Sequence, residues 1–148
     1  MTPQELEALW TDHLAGEFLT KDVEATLSTM TDDASVDHVP VHTGGSGKQA
    51  LRAFYRDVFI PSWPEDLIQT PINRVVGRDQ IVDEIHTEFT HDRQMDWFLP
   101  GIPPTGKKID VTMVVVVQFR EGKIACERIY WDQATVLKQI GRLNLSSP

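Results

Sequence analysis

The sequence predicts a single α+β domain in which helices near the amino terminus pack inside a strongly curved, mainly antiparallel sheet. Apolar residues recur at helical spacing up to residue 60, and they alternate at strand spacing from residue 67 onwards. A two-residue turn, Glu121-Gly122, joins the last two predicted strands. Since 148 residues suit one domain, we expect residues 1–148 to form one unit with a cavity at the open end of the sheet.

Three helices are predicted in the first 60 residues. The first follows Thr2-Pro3, an N-cap and a first-turn proline, and repeats an apolar residue at every fourth position: Leu6, Trp10, Leu14 and Phe18. A shorter repeat from Val23 to Met30 predicts the second helix. The third begins with the capping-box spacing of Ser46 and Gln49, and its apolar positions are Leu51, Phe54, Tyr55, Val58 and Phe59.

Five strands and a last helix complete the prediction. The strands are Ala34–Val39, Leu67–Val76, Gln80–His91, Ile109–Arg120 and Lys123–Asp132. The segment Pro100–Lys108 has three prolines and two glycines, which indicates a loop. A short helix from Ala134 to Ile140 ends at Gly141.

The Glu121-Gly122 turn predicts which side chains share a face of the last hairpin. Counting outward places Phe119 opposite Ile124 and then, on the core face, these pairs: Val117 with Cys126, Val115 with Arg128, Met113 with Tyr130 and Val111 with Asp132. The other face would carry Val114, Val116, Ile129 and Trp131, which is too apolar for a surface exposed to water. We therefore expect a homodimer through the outer face of the sheet.

Composition excludes several classes of partner. Fourteen Lys and Arg against 22 Asp and Glu give a net charge of −8 with no basic run, so we expect no nucleic acid. The lone Cys126 cannot form an internal disulfide. Glu5 and Glu7 lie where a signal peptide needs cations, and no apolar run is long enough to span a membrane. A cytoplasmic protein without membrane contact is the expectation.

The sequence predicts neither a metal nor an organic cofactor. The segment Thr43–Lys48 resembles a phosphate-binding loop, but His42 and Gln49 occupy positions that the motif reserves for glycine and a hydroxyl. His38 and His42 are separated by Pro40, while His86 and His91 would point to opposite faces of one strand. Their nitrogens are therefore not expected to converge on one ion.

Four residues are candidates for catalysis. Asp132, on the predicted core face, would be a general acid/base with a pKa raised by desolvation, or else the N-cap of the last helix. His38 and His91 share strand parity with apolar residues, so each would relay or polarise in the cavity, or be a hydrogen-bonded core residue. Arg128 would stabilise an enolate or carboxylate of the ligand, or pair with a nearby acidic side chain.

The candidate substrate-binding residues are aromatic and apolar. Tyr130, Trp63, Trp97 and Phe98 would form one wall of a pocket for a flat or hydrophobic molecule, together with Phe54 and Met113. Filling the core is the alternative use of such side chains.

Four segments together resemble the SnoaL-like polyketide cyclase family of the nuclear transport factor 2-like superfamily: Phe89–Asp92, Gly101–Lys107, Phe119–Ile124 and Tyr130–Asp132. The resemblance implies a cone-shaped α+β fold, commonly dimeric through the sheet. It also implies a deep pocket for cofactor-free acid/base chemistry, with an aspartate near the end of the final strand as the acid/base, a position that Asp132 matches. Glu127 and Ile129 stand where relatives often have His and Asp.

The expected function is therefore a cofactor-independent isomerase, cyclase or hydratase acting on a small hydrophobic carbonyl compound. A non-catalytic ligand-binding or dimeric accessory module of the same fold is the first alternative. An epoxide hydrolase using Asp132 and Arg128 is a further one, although four residues along one strand separate their Cα atoms by roughly 13 Å.

Overall fold

A computed structural model describes residues 1–143 and confirms the α+β class. The helices are α1 (Pro3–Phe18), α2 (Val23–Ser28), α3 (Lys48–Phe54) and α4 (Gln133–Gln139). The strands are β1 (Met30–His38), β2 (Thr43–Ser46), β3 (Ile68–Val76), β4 (Gln80–Thr90), β5 (Lys108–Arg120) and β6 (Lys123–Tyr130). They form one six-stranded sheet in the order β2-β1-β6-β5-β4-β3, and every pairing except the parallel β1–β6 pair is antiparallel.

Helix α1 begins as predicted and is fixed to the sheet by polar contacts. Thr2 and Glu5 form a capping box around the predicted proline start. Near the middle of the helix, Trp10 Nε1 donates to Asp83 Oδ2 over 2.8 Å, and Arg74 pairs with the same carboxylate. Since Asp83 is a buried residue of β4, this triad fixes α1 across the concave face of the sheet.

The third helix departs from its predicted form. Its N-cap is Gly47, at φ 86°, with no side-chain cap, so the predicted capping box is wrong. Helix α3 ends at Phe54 and continues as a π-helical turn over Tyr55–Phe59. The wider turn lets Phe54, Tyr55 and Phe59 all be buried, which an unbroken α-helix would not do as well.

The register of the last hairpin was predicted correctly only next to the turn. Phe119 pairs with Ile124 as expected, but Ala125 is then a bulge, and Val117 pairs with Glu127 instead of Cys126. A bulge inserts one residue into one strand, and one residue exchanges the two faces of that strand. On β6 beyond the bulge, Glu127 and Ile129 therefore face the core.

Because of the same bulge, the outer face of the sheet differs from the predicted one. Ile129 and Trp131, predicted to lie there, are buried in the core, whereas Val114 and Val116 on β5 are half-buried on the outer face as predicted. The homodimer through this face stays a prediction. Within residues 1–143, no helix combines the length and the apolar character needed to cross a bilayer.

Candidate functional site

A small cavity lies between α1, the π-helical turn and the concave face of the sheet. Its volume is about 50 Å³. Eight of its eighteen lining residues carry rings: Trp10, Phe18, His38, Phe54, Tyr55, Phe59, Trp63 and Trp97. The polar side chains in the wall are Glu17, Gln69, Thr87 and Glu127 besides His38 and Tyr55. The cavity is therefore suited to an apolar molecule with few polar groups.

Two buried carboxylates in this wall share one buried histidine. Nε2 of His13 contacts Glu17 Oε1, one helical turn further along α1, and lies 3.1 Å from Glu127 Oε2 on β6. The hydroxyl of Tyr55 donates to the same Glu127 oxygen over 3.3 Å. All four residues are buried, so the cluster is shielded from water and its charges act strongly on one another.

The orientation of the His13 ring is set from its other side. Nδ1 lies 2.8 Å from Thr29 Oγ1, and the Thr29 hydroxyl donates to the Thr26 carbonyl over 2.6 Å. Because that hydroxyl uses its proton there, it accepts from Nδ1, which must carry a proton. Nε2 forms no hydrogen bond of good geometry, so its contact with the two carboxylates is mainly electrostatic.

The pKa of His13 shows that its ring is a cation between two carboxyl groups. Burial alone would lower the pKa of His13, but the charges of Glu127 and Glu17 outweigh it and raise the pKa to about 10. Burial raises the pKa of Glu17, with the charge of Glu127 acting in the same direction and His13 opposing. Burial, and then the two carboxylates, raise the pKa of Tyr55 well above its usual value, so the phenol keeps its proton.

His38 lies in another part of the wall and has the opposite electrostatic character. Its ring packs on Trp97, with centroids 4.7 Å apart, and on Phe59. Burial lowers its pKa to about 4, partly opposed by the Thr43 carbonyl. Nδ1 lies 3.0 Å from that carbonyl and donates to it, so the neutral ring has an unprotonated Nε2.

The other sequence-predicted site residues divide into two groups. His38, Phe54, Trp63, Trp97 and Met113 lie in the cavity wall. Phe98 does not line the cavity, and packs behind Trp97 with ring centroids 5.3 Å apart. His91 is also outside it, since its Nδ1 is bound to the backbone N–H of Thr105 in the proline loop over 3.3 Å.

Asp132, Arg128 and Tyr130 lie outside the cavity, so the predicted cavity positions are wrong, whereas the alternative of Asp132 as the N-cap of the last helix is confirmed. Asp132 is exposed and caps α4, accepting from the backbone N–H groups of Ala134 and Thr135. Hydrogen bonds from Thr135 hold the pKa of Asp132 below its usual value, opposite to the predicted shift. Arg128 binds Gln118 Oε1 on the outer face, and Tyr130 is 39% exposed. The bulge at Ala125 explains why Arg128 and Tyr130 face outward, because the extra residue exchanges the two faces of β6 beyond it.

Sequence reasoning missed the three residues at the centre of the site. His13 and Glu17 carry a signal that could have found them, because their spacing from Leu6 and Trp10 continues the buried stripe of α1. Glu127 carries no such signal, since its orientation depends on the bulge.

The cluster also has the donor set of a cation site. Donor atoms of His13, Glu17 and Glu127 lie within 4.8 Å of one another, as do those of His86, Glu88 and Asp110 on the outer face of the sheet. In the first group, the imidazolium of His13 already provides a positive charge between the two carboxylates. The cluster is therefore accounted for by its own ion pairs.

The profile of the SnoaL-like domain family matches residues 10–127, which contain the whole cluster and every cavity residue except Ile129. The chain belongs to the SnoaL-like domain family. The resemblance drawn from the sequence is thereby confirmed, together with the nuclear transport factor 2-like fold. No curated protein matches the chain in sequence.

Solved structures with this fold cover nearly the whole chain of this SnoaL-like protein. TsrD from Streptomyces laurentii has a TM-score of 0.74 at 20% identity, over 97% of this chain and 99% of TsrD. A candidate SnoaL-like polyketide cyclase from Jannaschia sp. CCS1 has 0.71 at 19% identity, over 93% and 94%. AclR from Streptomyces galilaeus, a candidate hydroxylase, has 0.71 at 17% identity, over 97% and 89%. At such identities the similarity extends to the fold alone.

Proposed function

We propose that this SnoaL-like protein is a cofactor-independent acid/base enzyme of the isomerase, cyclase or hydratase type. Its substrate would be a small hydrophobic molecule with a carbonyl group, bound in the aromatic cavity. One observation supports the proposal: the carboxyl groups of Glu17 and Glu127 line a mainly apolar cavity and share the cation of His13 behind it.

Glu17 is the proposed proton acceptor and donor. A raised pKa makes a carboxylate a stronger base than an ordinary glutamate, and burial raises the pKa of Glu17. In the proposed step, Glu17 removes a proton from the carbon beside the carbonyl, and the C–H electrons move to the carbonyl oxygen as an enolate. Return of the proton to another carbon, or to the opposite face of the same carbon, completes an isomerisation. Attack by the enolate carbon on a second carbonyl closes a ring instead, and the alkoxide formed there takes the proton from Glu17.

His13 and Tyr55 would support that transfer without touching the carbon. The imidazolium stays charged at neutral pH, since its pKa is about 10, and it stabilises whichever carboxyl is ionised. Tyr55 keeps its phenolic proton and lines the cavity, so it can donate to an enolate oxygen when it leaves Glu127. Together they place positive charge and a donor where negative charge develops.

The cavity wall restricts the class of substrate. Aromatic and aliphatic side chains surround the space, and the carboxyl groups in its wall disfavour an anionic ligand. His38 adds a neutral ring whose unprotonated Nε2 can accept from a substrate hydroxyl. A neutral, largely apolar ketone or enol with one or two oxygens is therefore the proposed ligand.

Solvent deuterium exchange tests this function directly. A panel of cyclic ketones and β-diketones would be incubated with the protein in D₂O and the exchange at the α-carbon followed by NMR. We expect Glu17→Gln and Glu127→Gln each to reduce the exchange rate by about 10²-fold or more, whereas Glu65→Gln, at an exposed glutamate, leaves it unchanged. Exchange that continues in the Glu17→Gln/Glu127→Gln double variant would contradict the proposal.

The alternative proposal is a ligand-binding module of the same fold without catalysis. The ion pair between Glu17 and His13 favours it, because the cation opposes the rise in the pKa of the proposed base. It predicts that the same ketones bind to the protein, as measured by tryptophan fluorescence, while their α-protons exchange at the rate seen in buffer. Exchange accelerated by the wild-type protein would exclude it.

A further inference from the structure

Phe18 separates the internal cavity from solvent on two sides. It is the last residue of α1 and lines the internal cavity. It also lines a surface pocket of about 280 Å³ between α1 and β3, and a second of about 160 Å³ beside the Trp63–Leu67 turn. Among the described residues, Phe18 is the only one that these three spaces have in common. Phe18 therefore forms part of the wall between the cavity and each of the two pockets.

The wall between the cavity and the α1–β3 pocket is one side chain thick. Leu14, Phe18, Gln69 and Ile85 line both spaces. Leu14 and Phe18 are one helical turn apart, so they stand side by side on the same face of α1. Gln69 is half-buried on β3. Displacement of these side chains, without any change in the backbone, would join the two spaces.

The ring of Phe18 packs against two other rings of the cavity wall. It is half-buried and packs edge-on against Trp63 and Phe59, with centroid distances of 5.4 and 6.2 Å. A bound aromatic or apolar ligand can replace such ring contacts with its own. Rotation to another staggered conformer would move the ring off the opening.

The backbone that carries Phe18 is held in place by its neighbours. A Cβ atom at Gly16 would come within 2.5 Å of Thr26 Oγ1, so α1 packs directly on α2 near its end. The backbone N–H of Asp22 donates to the Gly16 carbonyl over 2.9 Å, which fixes the connection between the two helices. Opening by a swing of α1 would break both contacts, so side-chain rotation is the cheaper movement.

The charge of the two pockets decides between them. The pocket beside Trp63 is lined by Glu17, Lys21 and Glu65, which are charged side chains. The α1–β3 pocket is lined by Thr11, Ala15, Leu19 and Pro71 in addition to the shared residues, and its charged groups Arg74 and Asp83 pair with each other. A neutral apolar molecule is therefore desolvated at lower cost on the α1–β3 side.

We propose that Phe18 is a specificity-determining residue that limits the size of the ligands the cavity admits, and that they enter through the α1–β3 pocket. This inference rests on the proposed function insofar as both require a neutral hydrophobic ligand. The proposed proton transfer assigns no role to Phe18 and specifies no entry route, so both are additions to it.

Two neutral probes of different width test the size limit. Phenol and 1-naphthol would be mixed with the protein in a stopped-flow instrument, and quenching of tryptophan fluorescence would report their arrival beside Trp10, Trp63 and Trp97. We expect Phe18→Ala to raise the association rate of 1-naphthol about tenfold and that of phenol by less than about threefold. Val75→Ala, at a position on β3 that is 57% exposed and lines neither the cavity nor the α1–β3 pocket, should change neither rate.

The outcomes separate the size limit from the proposed function. An unchanged ratio of the two rates in Phe18→Ala would overturn the role of Phe18, whatever the exchange experiments show. If Phe18→Ala proves too unstable to study, Phe18→Leu should change the ratio in the same direction by less. If neither probe binds to the wild-type protein or to Phe18→Ala, the hydrophobic ligand, and with it the proposed function, is contradicted.

Blocking variants test the route. Ala15 lines the α1–β3 pocket but not the cavity, so Ala15→Trp should slow the association of 1-naphthol about tenfold. Glu65→Trp places the same bulk in the other pocket and should leave the rate unchanged. The reverse pattern, slowing by Glu65→Trp alone, would overturn entry between α1 and β3.

Discussion

Nε2 of His13 lies 3.1 Å from Oε2 of Glu127, which joins the first helix to the last strand in the interior. Glu17 contacts the same nitrogen from one helical turn away. Charges in such a place are expensive to bury, and the arrangement is stable only while each has its partner. Loss of one member therefore affects stability more than the number of contacts would suggest.

His13→Gln should destabilise the fold strongly. The substitution leaves two buried carboxyls without their cation, which costs on the order of 3–5 kcal/mol in unfolding free energy. Urea unfolding followed by circular dichroism measures it. His42→Gln, at an exposed histidine, is the control and should have little effect. The double variant His13→Gln/Glu127→Gln should recover part of the loss, and a fully additive loss would show that the two residues do not interact.

The same ion pairs predict a loss of stability in alkali. The pKa of His13 is about 10 in the folded protein and 6.5 for the free side chain, so its contribution is fully present below pH 6.5. It disappears as the pH rises through about 10. Between pH 7 and 10 the wild-type protein should therefore lose more unfolding free energy than His13→Gln does. Equal losses in the two proteins would mean that His13 is not charged when folded.

His38 predicts the opposite dependence at acid pH. Its folded pKa is about 4, below the free value of 6.5, because burial disfavours the charged ring. The contribution of the neutral His38 ring to the unfolding free energy is fully present above pH 6.5. It decreases as the pH falls towards 4, by about 3 kcal/mol in all. His38→Gln cannot take up that proton, so its unfolding free energy should fall less over this range. A parallel decline in both proteins would contradict a buried neutral ring.

Much of the fold follows from local patterns in the sequence. Thr2-Pro3 and the four-residue apolar repeat are sufficient to define α1, since a cap and a stripe depend only on neighbouring residues. The core-facing positions of β5, from Val111 to Phe119, were also predicted correctly, because strict alternation continues through that strand. Both conformations in the Glu121-Gly122 turn are left-handed, at φ 54° and 74°, as a two-residue hairpin of this type requires.

The departures from local regularity could not be predicted in the same way. The bulge at Ala125 depends on how β6 fits both β5 and β1, and the π-helical turn after Phe54 depends on the rings packed inside the sheet. Each inserts one residue into a regular element. These two insertions bring Glu127 and Tyr55 to the cavity. The sequence patterns therefore predicted side-chain orientation least well at the candidate site.

Asp132 and Glu127 provide the sharpest contrast between the sequence-predicted site and the observed one. Asp132 accepts from the backbone of Ala134 and Thr135 at the start of α4 and does not line the cavity. Asp132→Ala should remove an N-cap and lower the Tm by about 3 °C, without changing the rate of deuterium exchange into a ketone. Asp132→Asn, which can still cap the helix, should have a smaller effect on the Tm.

In contrast to Asp132→Ala, Glu127→Gln should reduce the rate of deuterium exchange. It replaces a buried carboxylate by an amide of nearly the same shape beside His13 and Tyr55, and we expect the exchange rate to fall by about 10²-fold. Far-UV circular dichroism at 20 °C would verify that both variants are folded before the rates are compared. A loss of exchange in Asp132→Ala with normal exchange in Glu127→Gln would move the chemistry out of the cavity and back to the end of β6, where the family resemblance first placed it.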